Sequence, residues 1–215
     1  MPVGCVNRPF TADLGAWLSS VPETYIIVVM SETSTLEVRP FSSANEYEGM
    51  VDYFLNADDA FLGAMGVARP LLPTRDAWLR DVLADHQLPD PEKDRLYVGW
   101  FYQGHQIGHS SVNRIRFGND AFFHLHMWRT DLRKSGLGLR LCEQSIGIYF
   151  DRLHLRTLWC EPYAENPAPN RTLLKLGFEF IKRYRTVPGT INFEQEVNLY
   201  RKGEAALDAP SLRPR

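Results

Sequence analysis

The sequence predicts a single α/β domain, in which one mixed sheet is covered by helices. Its 215 residues are within the size of one domain, and its 44% hydrophobic and 23% charged residues are close to globular averages. The predicted elements follow the order β-α-α-β-β-β-α-β-α-β-β, with no internal repeat and no linker. Strands that alternate with helices after a meander are typical of such a sheet.

Alternating polar and apolar residues predict the strands. Turn residues separate neighbouring strands, and Gln103-Gly-His and Pro188-Gly189 favour hairpins. In chain order, the predicted strands cover residues 36–39, 95–102, 106–115, 121–128, 155–161, 178–187 and 191–200.

Apolar residues at helical spacing and capping residues predict the helices. Ser43, with Glu46 three residues later, has the pattern of a capping box, and Thr74 is a cap for the next helix. Gly177 is a plausible C′ glycine for the last helix. Glycines and prolines over residues 63–73 predict a loop. The predicted helices cover about 44–55, 75–85, 137–150 and 170–175.

Charge and cysteine usage exclude several classes of protein. The net charge is −2, from 24 basic and 26 acidic residues, so no excess of positive charge indicates nucleic acid or an anionic membrane as partner. No run reaches the roughly 18 apolar residues of a membrane span. The three cysteines are far apart and include no C-x-x-C, which disfavours a disulfide framework or a metal site and favours a reducing cytoplasm. Cys142 and Cys160 are predicted to be core residues.

The ends of the chain differ from its middle. Residues 1–34 contain three prolines and no clear period, so we expect an N-terminal extension or arm; a start of translation at Met30 is the alternative. The folded domain is expected over residues 35–202, followed by a flexible tail over 203–215.

The segment Arg133-Lys-Ser-Gly136-Leu-Gly138 carries the clearest chemical signal. It follows a predicted strand and opens a predicted helix. Glycines let the backbone approach a ligand closely, and the first N–H groups of a helix have no intrahelical partner. Because the helix dipole also favours negative charge there, the segment predicts a pyrophosphate site. A P-loop is excluded by spacing, and a dinucleotide-binding turn would need glycine at Leu141.

This segment resembles the acetyl-CoA loop of the GNAT superfamily of N-acetyltransferases, [Arg/Gln]-x-x-Gly-x-[Gly/Ala]. A second segment, Glu165-Asn-Pro-Ala-Pro-Asn170-Arg-Thr-Leu-Leu-Lys-Leu-Gly-Phe178, looks like the E-N-x-x-S/N-x-x-x-L-x-K-L-G-F segment of that superfamily. It is most similar to the branch of the ribosomal-protein N-terminal acetyltransferases. The two segments occur in the family's order, and the resemblance covers roughly residues 36–201.

The resemblance implies a mixed, mostly antiparallel sheet with a splayed strand pair and helices on both faces. The pantetheine arm of acetyl-CoA would lie between the strand at 125–128 and the strand at 158–161, and no metal is implied. A backbone N–H near Met127 or Trp128 would stabilise the oxyanion, and Asn166 and Asn170 would contact the pantetheine or phosphates. Charge and backbone N–H groups for the pyrophosphate would come from Arg133, Lys134, Ser135, Gly136, Leu137, Gly138 and Leu139.

The acid and base are less clear from the pattern. Many GNAT enzymes have a tyrosine acid where this chain has Leu173, so the acid is elsewhere, such as Tyr163, or is not needed. The family's glutamate position falls at Phe122. The base candidates are His126, which is preferred, His124 and Glu161; His109 is weaker, and all could instead be ordinary hydrogen-bonded residues. Arg114 and Arg116 flank a turn and are predicted to be solvated.

The predicted function is transfer of an acetyl group from acetyl-CoA to a primary amine of a small molecule or a protein N-terminus. Acceptor choice would lie in the 63–73 loop and the Pro188-Gly189 hairpin, whose lack of an acidic cluster disfavours polycations. A catalytically silent acyl-CoA-binding regulatory module is the main alternative, and a nucleotide-binding α/β protein is a second. A homodimer is compatible with the sequence.

Overall fold

The computed structural model describes residues 35–132 and 136–203. The predictions for residues 1–34 and for most of the tail lie outside the described residues. The strands in this part of the chain are β1 (Leu36–Pro40), β2 (Leu96–Tyr102), β3 (His105–Arg116), β4 (Asp120–Met127), β5 (Thr157–Cys160), β6 (Glu179–Thr186) and β7 (Gln195–Gly203). The helices are α1 (Ala44–Leu55), α2 (Asp59–Ala64), α3 (Arg75–His86), α4 (Leu137–Leu153) and α5 (Pro167–Lys175).

The strands form one seven-stranded sheet in the order β1-β2-β3-β4-β5-β7-β6. Every neighbouring pair is antiparallel except β4 and β5, which are parallel. The prediction of a mixed, mostly antiparallel sheet is therefore confirmed. The two antiparallel halves meet at the β4–β5 junction, where the connection runs through α4.

Helices cover both faces of the sheet, as predicted. On one face, α4 and α5 bury side chains such as Leu141, Tyr149 and Leu173 against the sheet. On the other face, α1 and α3 bury Met50 and Val82 in a second apolar cluster. Side chains alternate between the faces along each strand. Buried positions at alternate residues on both sides therefore hold the register of the sheet.

Several local predictions need correction. Helix α2 was not predicted, and the loop predicted over 63–73 is wrong for its first two residues; Asp58 caps α2 by accepting the N–H of Phe61 at 2.7 Å. Helix α5 begins at Pro167 rather than residue 170, because Asn166 caps it and proline suits the first turn. Strand β7 begins at Gln195 rather than 191 and includes Gly203, the first residue of the predicted tail.

The capping prediction for α1 is half correct. Ser43 is the N-cap residue, but its side chain makes no cap hydrogen bond. Glu46 accepts the N–H of Ser42 at 2.7 Å and a hydrogen bond from Arg39 Nη2 at 2.8 Å. The glutamate therefore ties the first turn of α1 to β1 instead of closing a capping box. Thr74 does cap α3, and Gly177 has the positive φ of 77° expected after α5.

A buried lysine binds the carbonyl groups at the C-terminal end of helix α3. Lys93 is 5% exposed, and its ammonium donates to the carbonyls of Asp85 at 3.2 Å, His86 at 2.6 Å and Leu88. Burial lowers the pKa of Lys93, so these carbonyls compensate for the loss of water around the charge. The last turn of α3 thereby connects to the start of β2. None of the described helices has the length and apolar character that a membrane crossing requires.

Lys93→Met is expected to lower the free energy of unfolding by about 2 kcal/mol, because the helix carbonyls lose a charged donor. Urea denaturation measures the change. Arg80→Met, on the exposed side of the same helix, is the matched control and should have little effect. Equal stability of the two variants would contradict this account of Lys93.

Candidate active site

Strands β4 and β5 separate partway along their length. They pair at Asp120–Thr157, Ala121–Leu158 and Phe122–Trp159. One step further, the thiol of Cys160 donates to the carbonyl of Phe123 at 2.9 Å, and no later β4–β5 pair occurs in the described residues. The splayed strand pair implied by the resemblance is therefore present, with its opening after Phe123.

Backbone direction along β4 shows which groups face this opening. The N–H of Trp128 donates to the carbonyl of Ile107 in β3 at 2.9 Å. Because direction alternates along an antiparallel ladder, His126 also points toward β3, whereas Leu125 and Met127 point toward the opening. The oxyanion donor was predicted near Met127 or Trp128. The Trp128 N–H bonds to β3, whereas Leu125 and Met127 face the opening, and the identity of the oxyanion donor stays a prediction.

The N-terminus of α4 lies beside the end of β4. Gly136 is its N-cap with φ of 81°, a conformation that side chains rarely adopt. Among the described residues, a Cβ added at Gly138 would meet only the Met127 methyl, at 3.8 Å. The described part of the chain therefore leaves space in front of Gly138, whose neighbours Leu137 and Leu139 lie in the same first turn. The predicted pyrophosphate residues Arg133, Lys134 and Ser135 lie outside the described residues.

The two predicted asparagines organise the start of α5. Asn166 caps the helix by accepting the N–H of Ala168 at 3.3 Å. Asn170 donates to the carbonyls of Tyr163 at 3.0 Å and Asn166 at 2.6 Å, and its oxygen accepts from Asn198 at 2.8 Å. Asn170 thus has several partners within the protein. Its contact with a ligand stays a prediction.

The histidine side chains lie on the face of the sheet that α1 covers. His126 packs against the rings of Phe54 at 5.1 Å and Tyr53 at 5.7 Å, and stacks on His109 at 4.8 Å. His126 is therefore embedded between the sheet and α1. No cluster of metal-ligating side chains occurs among the residues with described positions.

His109 and Trp128 join the end of β4 to β3. His109 is 1% exposed, and its Nδ1 accepts a hydrogen bond from Trp128 Nε1 at 3.0 Å. An indole N–H can only donate, so His109 is neutral with its proton on Nε2. The Trp128 ring reaches α1 at Gly49, where an added Cβ would lie 3.2 Å from the indole. This packing holds the open end of β4 against α1.

The histidines are kept neutral. Burial lowers the pKa of His124 to about 4, and the charge of Arg114 adds to this shift. Burial, followed by the influence of His124, lowers the pKa of His126 to about 3. The pKa of His109 is also well below its ordinary value because of burial. All three rings are therefore unprotonated near neutral pH.

His124 and Glu161 lie on the same face of the sheet, one on each side of the opening. Continuing the register past Phe122–Trp159 by two residues reaches this pair. The Nε2 atom of His124 is buried and has no hydrogen-bond partner among the described residues. The side chain of Glu161 is 7% exposed and accepts hydrogen bonds from Arg114 Nη2 at 3.1 Å and from the Tyr184 hydroxyl. A proton acceptor thus stands at each side of the opening.

The two segments predicted to choose the acceptor are joined to each other. The N–H of Ala68 donates to the carbonyl of Ile191 at 2.9 Å, and the Asn192 and Gln195 amides donate to the carbonyl of Gly66 at 2.8 and 3.1 Å. A Cβ at Gly66 would lie 2.0 Å from Gln195 Oε1, so only glycine permits this contact. These bonds connect the turn after α2 to the segment that leads into β7.

Comparison with known proteins addresses the fold. No protein-family model and no curated protein sequence matches the chain. Solved structures do match: the RimL ribosomal L7/L12 α-N-protein acetyltransferase in complex with coenzyme A has a TM-score of 0.64 at 16% identity, over 83% of this chain and 97% of that one. The chain has the GNAT fold. The predicted resemblance to this superfamily is thus confirmed at the level of structure.

Two further GNAT structures are similar to the chain. The ribosomal-protein-S5-alanine acetyltransferase from Vibrio fischeri has a TM-score of 0.63 at 17% identity, over 78% of this chain and 92% of that one. The spermidine N-acetyltransferase from Vibrio cholerae, in complex with coenzyme A and spermine, has a TM-score of 0.62 at 16% identity, over 78% and 95%. The neighbours thus include the ribosomal-protein branch that the second motif resembles, and also an enzyme of small amines.

Relative to the GNAT pattern, the structure adds site residues that sequence reasoning missed. Leu173, at the position of the usual tyrosine acid, is 0% exposed in the core. Tyr184 is hydrogen-bonded to Glu161 instead, and burial together with this bond raises the pKa of Tyr184 to about 12. Arg114 was predicted to be solvated, and its side chain is indeed 46% exposed, but it also pairs with Glu161. No spacing in the sequence connects Arg114, Glu161 and Tyr184. Arg114 lies in β3, Tyr184 lies in β6, and Glu161 lies in the loop after β5.

The neutral histidines predict a pH dependence of stability. Their folded pKa values are depressed, so below about pH 6.5 the unfolded state binds protons that the folded state does not. The free energy of unfolding should therefore fall as pH decreases from about 6.5 toward 4, by at most about 1.4 kcal/mol per pH unit for each ring.

Urea denaturation at several pH values measures this slope. His126→Phe removes one such ring while preserving an aromatic side chain, and the slope should become smaller. An unchanged slope in the variant would show that His126 titrates normally in the folded protein.

Proposed function

We propose that this protein is an N-acetyltransferase that transfers an acetyl group from acetyl-CoA to a primary amine of a small molecule or a protein N-terminus. The observation that carries the proposal is the opening between β4 and β5. Helix α4 begins at one face of this opening, and His124 and Glu161 flank it on the other face. A donor and an acceptor could therefore reach the same point from opposite sides of the sheet.

The donor side fits acetyl-CoA in its chemistry. Backbone groups of Leu125 and Met127 face the opening, so an extended pantetheine arm would pair with β4 as an added strand. The open space at Gly138 lets a pyrophosphate approach the N–H groups of the first turn of α4. The solved GNAT neighbours with bound coenzyme A or acetyl-CoA support this use of the fold.

The steps of acetyl transfer follow from the groups on the donor face and the acceptor face of the sheet. The neutral amine attacks the thioester carbonyl, a C–N bond forms, and the carbonyl oxygen gains negative charge that a β4 N–H stabilises. The nitrogen becomes positively charged and strongly acidic, and the intermediate then expels the thiolate. His124, although a weak base, suffices to take a proton from this acidic nitrogen, either directly or through water. Glu161 is the second acceptor in reach of the same face.

Among the predicted bases, His124 has the better support. Its Nε2 is buried without a partner, whereas His126 is packed among Phe54, Tyr53 and His109. A base must reach the proton that it takes. The proposal therefore assigns proton transfer to His124 and a packing role to His126, which reverses the preference drawn from the sequence.

The cofactor side is tested with Gly138→Asp. A carboxylate there would occupy the open space and repel a pyrophosphate, so calorimetric affinity for acetyl-CoA should fall at least about 100-fold. Gly147→Asp is the matched control: it adds the same charge to α4 at an exposed glycine with open surroundings and should bind normally. Absence of binding by the unchanged protein would overturn the proposed function.

The acceptor side is tested by kinetics on a panel of alanine-initiated peptides and polyamines, with release of free thiol as readout. His124→Gln should lower kcat by about 10²- to 10³-fold without changing the affinity for acetyl-CoA. For the unchanged protein, kcat/KM should rise with pH toward the pKa of the acceptor amine, with no inflection near 6.5.

A larger loss of kcat in His126→Gln than in His124→Gln would contradict this assignment. Firm binding of acetyl-CoA without turnover on any amine would instead favour the catalytically silent acyl-CoA-binding module.

A further inference from the structure

The face of the sheet that carries His124 is only partly covered by helices. Helices α1 and α3 pack on the half that contains β1 to β4. At the β4 end of that half and on the strands beyond it, Phe122 of β4, Trp159 of β5 and Tyr184 of β6 are half-buried. A shallow, open depression of about 490 Å³ lies over Phe122 and Trp159, and it is lined by Asp94, Arg114, Ile115, Arg116, Asp120, Phe122 and Trp159. The acceptor side of the opening therefore continues onto an aromatic surface.

Arg114 extends across this surface in an unusual backbone conformation. The register of β3 against β4 shifts between Asn113 and Arg116, and Arg114 has φ of 50°. Such a bulge redirects a side chain. The guanidinium carbon of Arg114 lies 3.4 Å from the centre of the Phe122 ring, and Nη2 donates to Glu161 at 3.1 Å. A cation thus lies between an aromatic face and a buried carboxylate.

Arg114 is fixed by fewer hydrogen bonds than Arg116. Arg116 bonds to Asp120 through both Nε and Nη2, whereas Arg114 reaches Glu161 through one nitrogen. Two parallel hydrogen bonds fix an arginine more firmly than one does. The side chain of Arg114 is also 46% exposed, and the adjacent cavity leaves room for it to move.

We propose that the Phe122 ring and the Glu161 carboxylate form the ammonium-binding position of the acceptor site, and that Arg114 occupies this position until the acceptor displaces it. The inference rests on the proposed function, because it takes this face as the acceptor side. Arg114 is then a specificity-determining residue: only a positively charged acceptor group gains both contacts that the guanidinium gives up.

The surroundings fit an ammonium ion better than a neutral group. A cation is attracted to the face of an aromatic ring, and an N–H donor of the ammonium replaces that of Arg114 on Glu161. His124 follows Phe122 by two residues on the same face, about 7 Å along the strand. An ammonium held by Phe122 and Glu161 would therefore lie on the same face as the unpartnered Nε2, about two strand residues from it. The charged amine is thus recognised on the face that carries His124. The ammonium gives one proton to water before it attacks the thioester, and the nitrogen gives a second proton to His124 after the C–N bond has formed.

The test uses ethylammonium chloride as the probe, at constant ionic strength maintained with sodium chloride. The ring signal of His124, assigned with His124→Gln, reports binding by NMR. Arg114→Met removes the competing charge and retains the length of the side chain, so half-saturation should occur at a concentration about tenfold lower than in the unchanged protein. Arg114→Gln repeats the test if the methionine variant does not fold.

Two matched variants separate this effect from a general change of charge. Arg116→Met removes a positive charge from the same cavity, but that charge does not lie on Phe122, so half-saturation should equal that of the unchanged protein. The double variant Arg114→Met/Glu161→Gln should lose the response.

Equal half-saturation in all the proteins, or no response in the Arg114 variants, would overturn the proposal. Calorimetry with acetyl-CoA on the same samples distinguishes a failure of the Arg114 proposal from a failure of the proposed function. Intact binding of acetyl-CoA with unresponsive Arg114 variants rejects only the role of Arg114, whereas loss of acetyl-CoA binding in the unchanged protein rejects the proposed function itself.

Discussion

The structure depends on the loss of pairing between β4 and β5 after Phe123. Each strand remains held on its other side, β4 by β3 and β5 by β7, so the opening lies inside a continuous sheet. Backbone groups that face such an opening need hydrogen-bond partners. An extended molecule can supply them as an added strand would, which is why the opening is more than a defect in the sheet.

The two faces of the sheet separate two kinds of chemistry. On one face, α4 begins with a glycine in a left-handed conformation, and its first turn has open space in front of Gly138. On the other face, the buried histidines are neutral, and Glu161 flanks the opening. Under the proposed function, the anionic part of the donor would bind on the first face and the amine acceptor on the second, with β4 and β5 between them.

Packing, rather than residue type, divides the histidines. His109, His124 and His126 all point to the same side of the sheet, and period-2 alternation predicts this for the two on β4. Rings from α1 and β3 pack against His126, whereas the Nε2 of His124 is buried with no hydrogen-bond partner among the described residues. The packing of α1 against the sheet thus separates the surroundings of the two imidazoles, and no pattern within β4 contains that information.

Sequence reasoning was strongest where the signal is local. The turns at Gly104 and Gly177, the cap at Thr74 and the strand-to-helix glycines at 136 and 138 were correctly placed, because backbone conformation and capping depend on nearby residues. Reasoning failed at α2, where Gly63 was read as part of a loop although the Asp58 cap and the burial of Leu62 support a helical turn. In the prediction, the prolines and glycines of this segment were given more weight than the Asp58 cap and the apolar Leu62.

The sequence by itself determined the order of the main elements, the alternation of the sheet and the glycine-rich start of α4, since each follows from residues close together in the chain. Only the tertiary structure decided that Arg114 lies on Phe122, that Tyr184 and Glu161 bond to each other, and that Gly66 approaches Gln195. These contacts join residues 8 to 129 positions apart. Their formation depends on strand register and on helix packing against the sheet, which are properties of the whole fold.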